Sequence, residues 1–183
     1  MQTMENPAQN YQSRKIVSGQ QLILRILALV LFLVMALFIV LGVMTAPASA
    51  LDYERESLIG ADFSGKDLTD AEFTKANLRQ SNFSHAKLRG VSFFAANLEE
   101  ANLEGADLRG ATLDAARFNR SNLNNANLEG AFVANARFVG ATITGADFTD
   151  VLIRSDIQKQ LCKIAEGTNP TTGRDTRETL YCP

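Results

Sequence analysis

The sequence is poor in the residues that build metal centres and catalytic dyads. It has one histidine, His85, and two cysteines, Cys162 and Cys182, in 183 residues. Structural zinc takes about four such ligands, so no metal site is expected, nor any cofactor. Proline is also scarce: there are four in the chain and none between residues 61 and 155, so no backbone donor is missing across that stretch. A large excess of charge of either sign is absent too. The formal net charge is −2, far from the basic surface that a nucleic-acid binder requires.

What the chain does contain falls into three unlike parts. Residues 1–21 are polar, and residues 26–44 are unbroken apolar, preceded by Arg14, Lys15 and Arg25. The run ends in Thr45-Ala46-Pro47-Ala48-Ser49-Ala50, with small residues at the third-last and last positions. A basic start, an apolar middle and that ending predict an export signal over 1–50, cleaved after Ala50. The alternative is an uncleaved anchor, since the run just reaches the ~18 residues of a spanning helix. The protein would touch a membrane only in that case, through residues 26–44. Ser13-Arg14-Lys15 lacks the second arginine of a twin-arginine signal. Cleavage removes one acid (Glu5) and three bases (Arg14, Lys15, Arg25), leaving 19 acids and 15 bases and a net charge of −4.

From Ala61 to Ser155 the chain divides without a gap into five-residue units. Each has a large apolar centre, from Phe63, Leu68 and Phe73 to Phe148 and Ile153, and every centre is Leu, Phe, Ile or Val. Two residues earlier sits a small residue, usually alanine; Val91 and Val151 are larger, and Lys66 is the one clear departure. A helix cannot use this period, because a five-residue step carries the apolar side chain about 140° round its axis. In extended backbone the small residue and the centre share one face, and the polar residue between them points the other way. All seven glycines of the tract fall two residues after a centre, as do Asn125 and Asn135. That is the third position of a turn, where a type II turn needs positive φ. The chain therefore turns a corner every five residues.

Units such as Ala101-Asn102-Leu103-Glu104-Gly105 and Ala106-Asp107-Leu108-Arg109-Gly110 resemble those of pentapeptide-repeat proteins. The resemblance implies an all-β fold: a right-handed quadrilateral β-helix of about five coils over residues 51–155, with the first coil starting near Glu56–Gly60. Residue n then stacks beneath n+20, placing Phe63 under Phe83, Phe73 under Phe93 and Phe118 under Phe138. Such a column has no interior cavity for a substrate.

A solenoid leaves apolar residues bare at its ends unless they are capped. Residues 156–183 are expected to supply a small helical cap. Ser155 and Gln158 have capping-box spacing, and Ile157, Leu161 and Ile164 form a helical stripe ending near Gly167. A turn at Asn169-Pro170 and a helical turn over 176–181 follow. In an exported protein Cys162 and Cys182 are expected to form a disulfide rather than remain two unrelated thiols. The ending, from Leu161-Cys162-Lys163-Ile164 through Gly173 to Thr176-Arg177-Glu178-Thr179-Leu180-Tyr181-Cys182, is similar to the tail of thylakoid-lumen pentapeptide-repeat proteins. That resemblance implies a lumenal address and a disulfide-linked cap; the signal alone also permits a periplasmic one.

Candidate sites are few. Ser84 and His85 sit side by side on a convex corner, without the orienting group and water-excluding pocket that catalysis needs. Asp67, Asp107 and Asp147 recur on one face with Lys87 between them, which reads as a solvated ladder of cross-strand pairs rather than a cation site. Glu99, Glu100 and Glu104 read the same way, and Asn82, Asn102 and Asn122 form a column of stacked amides. One feature breaks the polar exterior: Phe94, Phe132 and Leu152 point outward on one face. Exposed apolar clusters usually touch something, either the C-terminal segment folded over them or a protein partner.

The functional expectation is a noncatalytic interaction or scaffold module with a protein partner, in the thylakoid lumen or a periplasm. A redox-regulated accessory protein, switched through Cys162 and Cys182, is the alternative. A DNA-mimicking topoisomerase inhibitor is more remote. The repeat tract mixes 12 acids with 10 bases, and export would part it from DNA.

Overall fold

A computed structural model describes residues 25–33 and 51–183. The chain divides into two compact units, Met1–Ser49 and Ala50–Pro183. In the first, residues 25–33 are helical (α1). Most of the apolar run, and the expected cleavage site, lie outside the described residues. Among the described residues no helix is long and apolar enough to cross a membrane.

The second unit is a coil of short strands. Parallel bridges join each residue between a small position and a centre to the one twenty places on, from Asp52–Glu72 to Phe132–Leu152. One rung shows the pattern. Phe63 N–H donates to the Asn82 carbonyl (2.7 Å), and Asn82 N–H donates to the Ala61 carbonyl (2.9 Å). Corners join in the same way, with Gly65 N–H donating to the Ser84 carbonyl at 2.9 Å. Each corner closes with a bond from the small residue back to the preceding centre, as in Ala71 N–H to Leu68 C=O at 3.0 Å. Twenty residues per bridge at five per side gives four sides. They are named here by their outward rows: side A (52, 72, 92, 112, 132, 152), side B (57 to 137), side C (62 to 142) and side D (67 to 147). The column starts at Leu51, earlier than the expected Glu56. Tyr53 serves as the first centre and stacks on Phe73 at 4.8 Å.

Glycine is not what makes the corners. At the third turn position, Asp70, Lys75, Gln80, His85, Ala95, Glu100, Ala115 and Arg120 all hold φ between 56° and 61°. A left-handed residue with a Cβ costs roughly 1–2 kcal/mol, so the stacking above and below outweighs a local preference at most corners. Asn135 departs from its expected role, because it is not among the positive-φ residues. Its N–H donates to the Asp114 carboxylate (2.8 Å), which replaces the regular corner bond.

The centres fill the axis. Phe63 stacks on Phe83 (4.8 Å), Phe73 on Phe93 (5.1 Å) and Phe118 on Phe138 (5.3 Å). Rings on sides A and C meet edge to face, as Phe73 and Phe83 do at 5.6 Å. The alanines between them are buried and let the walls close. Lys66, the exception at a small position, is exposed, with its Nζ 5.2 Å from the centre of the Phe63 ring.

After Ile153 the chain leaves the coil. Helix α2 spans Ser155–Leu161 and helix α3 spans Thr176–Thr179. The expected capping box at Ser155 does not form: Arg154 is the N-cap and offers no side-chain bond. Gln158 is used elsewhere, donating from Nε2 to the Leu180 carbonyl at 2.7 Å. The expected apolar stripe is also cut short. Leu161 is buried and Ile157 half-buried, but α2 ends at Leu161 and Ile164 is exposed; Ala165 packs inward instead. Asp175 caps α3, accepting from the N–H groups of Arg177 and Glu178. Cys162 and Cys182 are joined in a disulfide, Cα to Cα 5.5 Å.

Candidate functional site

Several contacts seat the C-terminal segment on the last two coils. Asn169 is fully buried, and its Nδ2 donates to the carbonyls of Gly145 (2.8 Å), Asn125 (3.1 Å) and Ala126 (3.3 Å). Gly145 N–H donates to the Glu166 carbonyl at 2.8 Å. A Cβ at Gly145 would lie 3.1 Å from the Thr168 carbonyl, and φ there is 69°, so this approach requires glycine. Phe148 N–H donates to Thr179 Oγ1 at 3.1 Å.

Asp147 belongs to this seat and not to a solvated ladder. It is fully buried, accepts from Thr149 N–H and Oγ1, and has Arg174 Nε 3.4 Å away. Arg174 also reaches Glu129 at 2.7 Å. Burial opposes ionisation of Asp147, but the hydrogen bonds of Thr149 and Thr172 and the charge of Arg174 outweigh it and hold the carboxyl below its ordinary range. The missed signal was the C-terminal arginine: the period of the tract says nothing about which side the tail will cover.

Asn127, the rung before Asp147, is buried as well, and side D opens to solvent only toward its start. Lys87 Nζ pairs with Asp67 at 3.1 Å, and Asp107 pairs with Arg109 of its own corner rather than with Lys87. Side C carries the amide column: Asn102 Nδ2 donates to Asn82 at 3.4 Å and Asn122 Nδ2 to Asn102 at 3.2 Å. Glu100 accepts from Gln80 and Arg120, which lower its pKa, while Glu99 and Glu104 meet Asn119 and Asn122. Among the described residues no group of histidine, cysteine, aspartate and glutamate could hold a metal ion. His85 and Ser84 stay on their corner, with His85 exposed.

Side A changes character along its length. Its outward row reads Asp52, Glu72, Ser92, Thr112, Phe132, Leu152, polar at the start and apolar at the end. Phe132 and Leu152 are bridged neighbours, 47% and 61% exposed, and Phe94 lies on the adjoining corner at 39%. The C-terminal segment does not fold over them. Its bonds to the coils reach Asn125, Ala126, Glu129, Thr144, Gly145 and Phe148, next to sides C and D, and α2 lines a cavity with residues 135–139 of side B. The last centres of sides B, C and D, Phe138, Ile143 and Phe148, are at most 2% exposed. The last centre of side A, Ile153, is only half-buried. The structure thus leaves side A bare at its C-terminal end.

A four-sided column bridged at every twentieth residue is the architecture of a repeat solenoid, and the chain belongs to the pentapeptide-repeat family. The family model for Pentapeptide repeats matches it in 8 copies, over residues 57–90, 92–130 and 116–154. A crystal structure of a pentapeptide repeat protein from the Arabidopsis thaliana thylakoid lumen is 52% identical, with a TM-score of 0.70, over 71% of this chain and 90% of that one. Two curated Arabidopsis thaliana proteins match over 42 residues, 23% of this chain. Thylakoid lumenal 15 kDa protein 1, chloroplastic, is 60% identical over 19% of its own length. Thylakoid lumenal protein TL20.3, chloroplastic, is 55% identical over 15% of its length. The chain therefore spans less than a fifth of these two curated relatives.

Proposed function

We propose that this protein is a noncatalytic interaction module of the thylakoid lumen, docking a protein partner through Phe94, Phe132 and Leu152. The carrying observation is the bare Phe132–Leu152 rung: Leu51, Ile59 and Val139 are exposed on the column too, but only Phe132 and Leu152 are bridged to each other. Burying such side chains in a partner contributes roughly 25 cal/mol per Å² of apolar area. The lumenal address is supported by the thylakoid-lumen relatives. Residues 1–50 act as the export signal, residues 51–155 as the rigid column, and residues 156–183 as the cap that shields the final centres.

A native pull-down from lysed thylakoids with Phe132→Ser and Phe94→Ser proteins tests the docking. A partner retained by the wild type should be lost from both variants while their circular dichroism is unchanged; equal retention rejects the surface. Intact mass tests the address. The lumenal form should begin at Leu51 and be lighter by two hydrogens than its reduced form, whereas a full-length membrane-bound chain would contradict export and cleavage.

A second reading rests on the surroundings of the disulfide. A cavity of about 340 Å³ beside it is lined by Gln158, Lys159, Cys162, Lys163, Arg177, Tyr181 and Pro183. Cationic groups next to a disulfide favour the thiolate produced by its reduction, which would suit a redox-switched accessory protein. A reduction potential far below that of any lumenal dithiol donor would rule this out.

A further inference from the structure

The charges flanking the bare rung are arranged about a centre. Along side A, Thr112 lies one rung before Phe132 and Leu152 one rung after it, each step about 4.8 Å. On the corner that follows, Asp114 and Arg154 flank Ala134 in the same way, an acid one coil before and a base one coil after. On the corner that precedes, Arg109 and Asp150 flank Glu129–Gly130 with the signs reversed. A two-fold axis running across side A at Phe132 would bring Asp114 opposite Arg154 and Asp150 opposite Arg109, while Glu129, level with the axis, faces its own copy and is paired within its chain by Arg174 at 2.7 Å.

We propose that the occupant of this surface is a second copy of the same chain, packed antiparallel on side A about a two-fold axis at Phe132. The proposal rests on the Phe132–Leu152 part of the docking reading above and names its occupant; Phe94, two coils before Ala134, lies outside the paired rungs. In that arrangement Phe132 meets Phe132 of the other copy, Leu152 meets Thr112, Arg154 meets Asp114, and Asp150 meets Arg109. The pairing is isologous and closed, so it yields a dimer and not a filament.

The groups needed are on the surface. Phe132, Leu152, Asp150 and Arg154 are exposed, and Asp114 and Arg109 are half-buried. Asp114 Oδ1 is engaged with Asn135, but its Oδ2 has no hydrogen bond among the described residues, and Asp150 has no ion pair there. Arg154 pairs with Asp156 at 2.9 Å, an exposed contact of the kind that contributes little, so the guanidinium can exchange it for a desolvated partner. Asp107 holds Arg109 through two of its nitrogens, which makes the Asp150 contact the weaker of the two pairs. Two sheets face to face stand about 10 Å apart, a gap that Phe132 and Leu152 from both copies fill.

Analytical ultracentrifugation of the full chain in one mild detergent, with Asp114→Arg, Arg154→Asp and an equimolar mixture of the two, tests the proposal. The wild type should be dimeric in the micromolar range. Each single variant places like charges opposite each other and should dissociate more than about tenfold more readily. The mixture should re-form a dimer, because one copy then carries two bases at these positions and the other two acids. That rescue also shows that both variants are folded. Association through residues 26–44 would ignore both substitutions, so unchanged dimers in the single variants would overturn the proposal, as would a mixture that stays monomeric. A monomeric wild type that still loses a thylakoid partner on Phe132→Ser would reject the second copy and keep the docking surface.

Discussion

The side-chain amide of Asn169 donates to the carbonyl of Gly145 at 2.8 Å, inside a pocket that leaves Asn169 no exposure to solvent. That contact ties the tail to the last coil, and a buried amide bonded on both of its ends is costly to remove. Its Oδ1 accepts from the N–H groups of Thr171 and Thr172, so the same side chain also shapes the turn before α3.

Asn169→Ala should therefore release the cap before the column melts. Stranding buried carbonyls costs roughly 1–3 kcal/mol each. Hydrogen exchange should speed up at Gly145, Phe148 and residues 157–182 while the amides of Leu78 to Leu113 stay protected. Uniform loss of protection along the chain would show that cap and column form one cooperative unit instead.

Reducing the disulfide, or replacing Cys162 and Cys182 together by serine, should act in the same place. The bond closes a loop with a sequence separation of 20, worth about 3 kcal/mol in the chain-entropy model. Thermal melting of the cap should fall while that of the column holds, read by exchange at Leu161 and Leu180.

Acid should act on the Asp147 seat. Its folded pKa is lowered, so its stabilising contribution is complete above the unfolded value of about 3.9 and is lost only as pH falls through the lower folded value. The cap should stay seated at pH 5 and loosen only below the ordinary carboxylate range. Release between about pH 5 and 6 would contradict the ionised Asp147–Arg174 contact.

The column core should be unforgiving. Phe83 is fully buried and stacked on Phe63 at 4.8 Å, so Phe83→Ala should cost about 3–5 kcal/mol in chemical denaturation. A loss below about 1 kcal/mol would mean the coil can collapse around the gap, which rigid twenty-residue stacking argues against.

The column was legible because one constraint repeats. A buried centre and a small residue every five positions leave a single way to close the backbone, and Phe63, Phe73 and Phe118 stack on the partners their spacing implies. The corners were less legible: glycine suggested where φ turns positive, yet Lys75, Glu100 and Arg120 turn the same way because the coils above and below dictate it. The tail was legible only in part. Its helices and cysteines show in the sequence, but Asp147 looked like its solvated counterparts Asp67 and Asp107. Only the packed tail, through Arg174, distinguishes it. Whether that tail would cover Phe132 depended on the direction in which α2 leaves Ile153, and no local period encodes it.

The docking surface can be tested most directly by placing a photo-crosslinking residue at Phe132, Leu152 or Asn97 in intact thylakoids. Asn97 belongs to the polar row of side B and serves as the reference. Adducts concentrated at Phe132 and Leu152, of a defined mass that includes a second copy of this chain, are the predicted result. Adducts spread equally over all three positions, or found only at Asn97, would contradict the account.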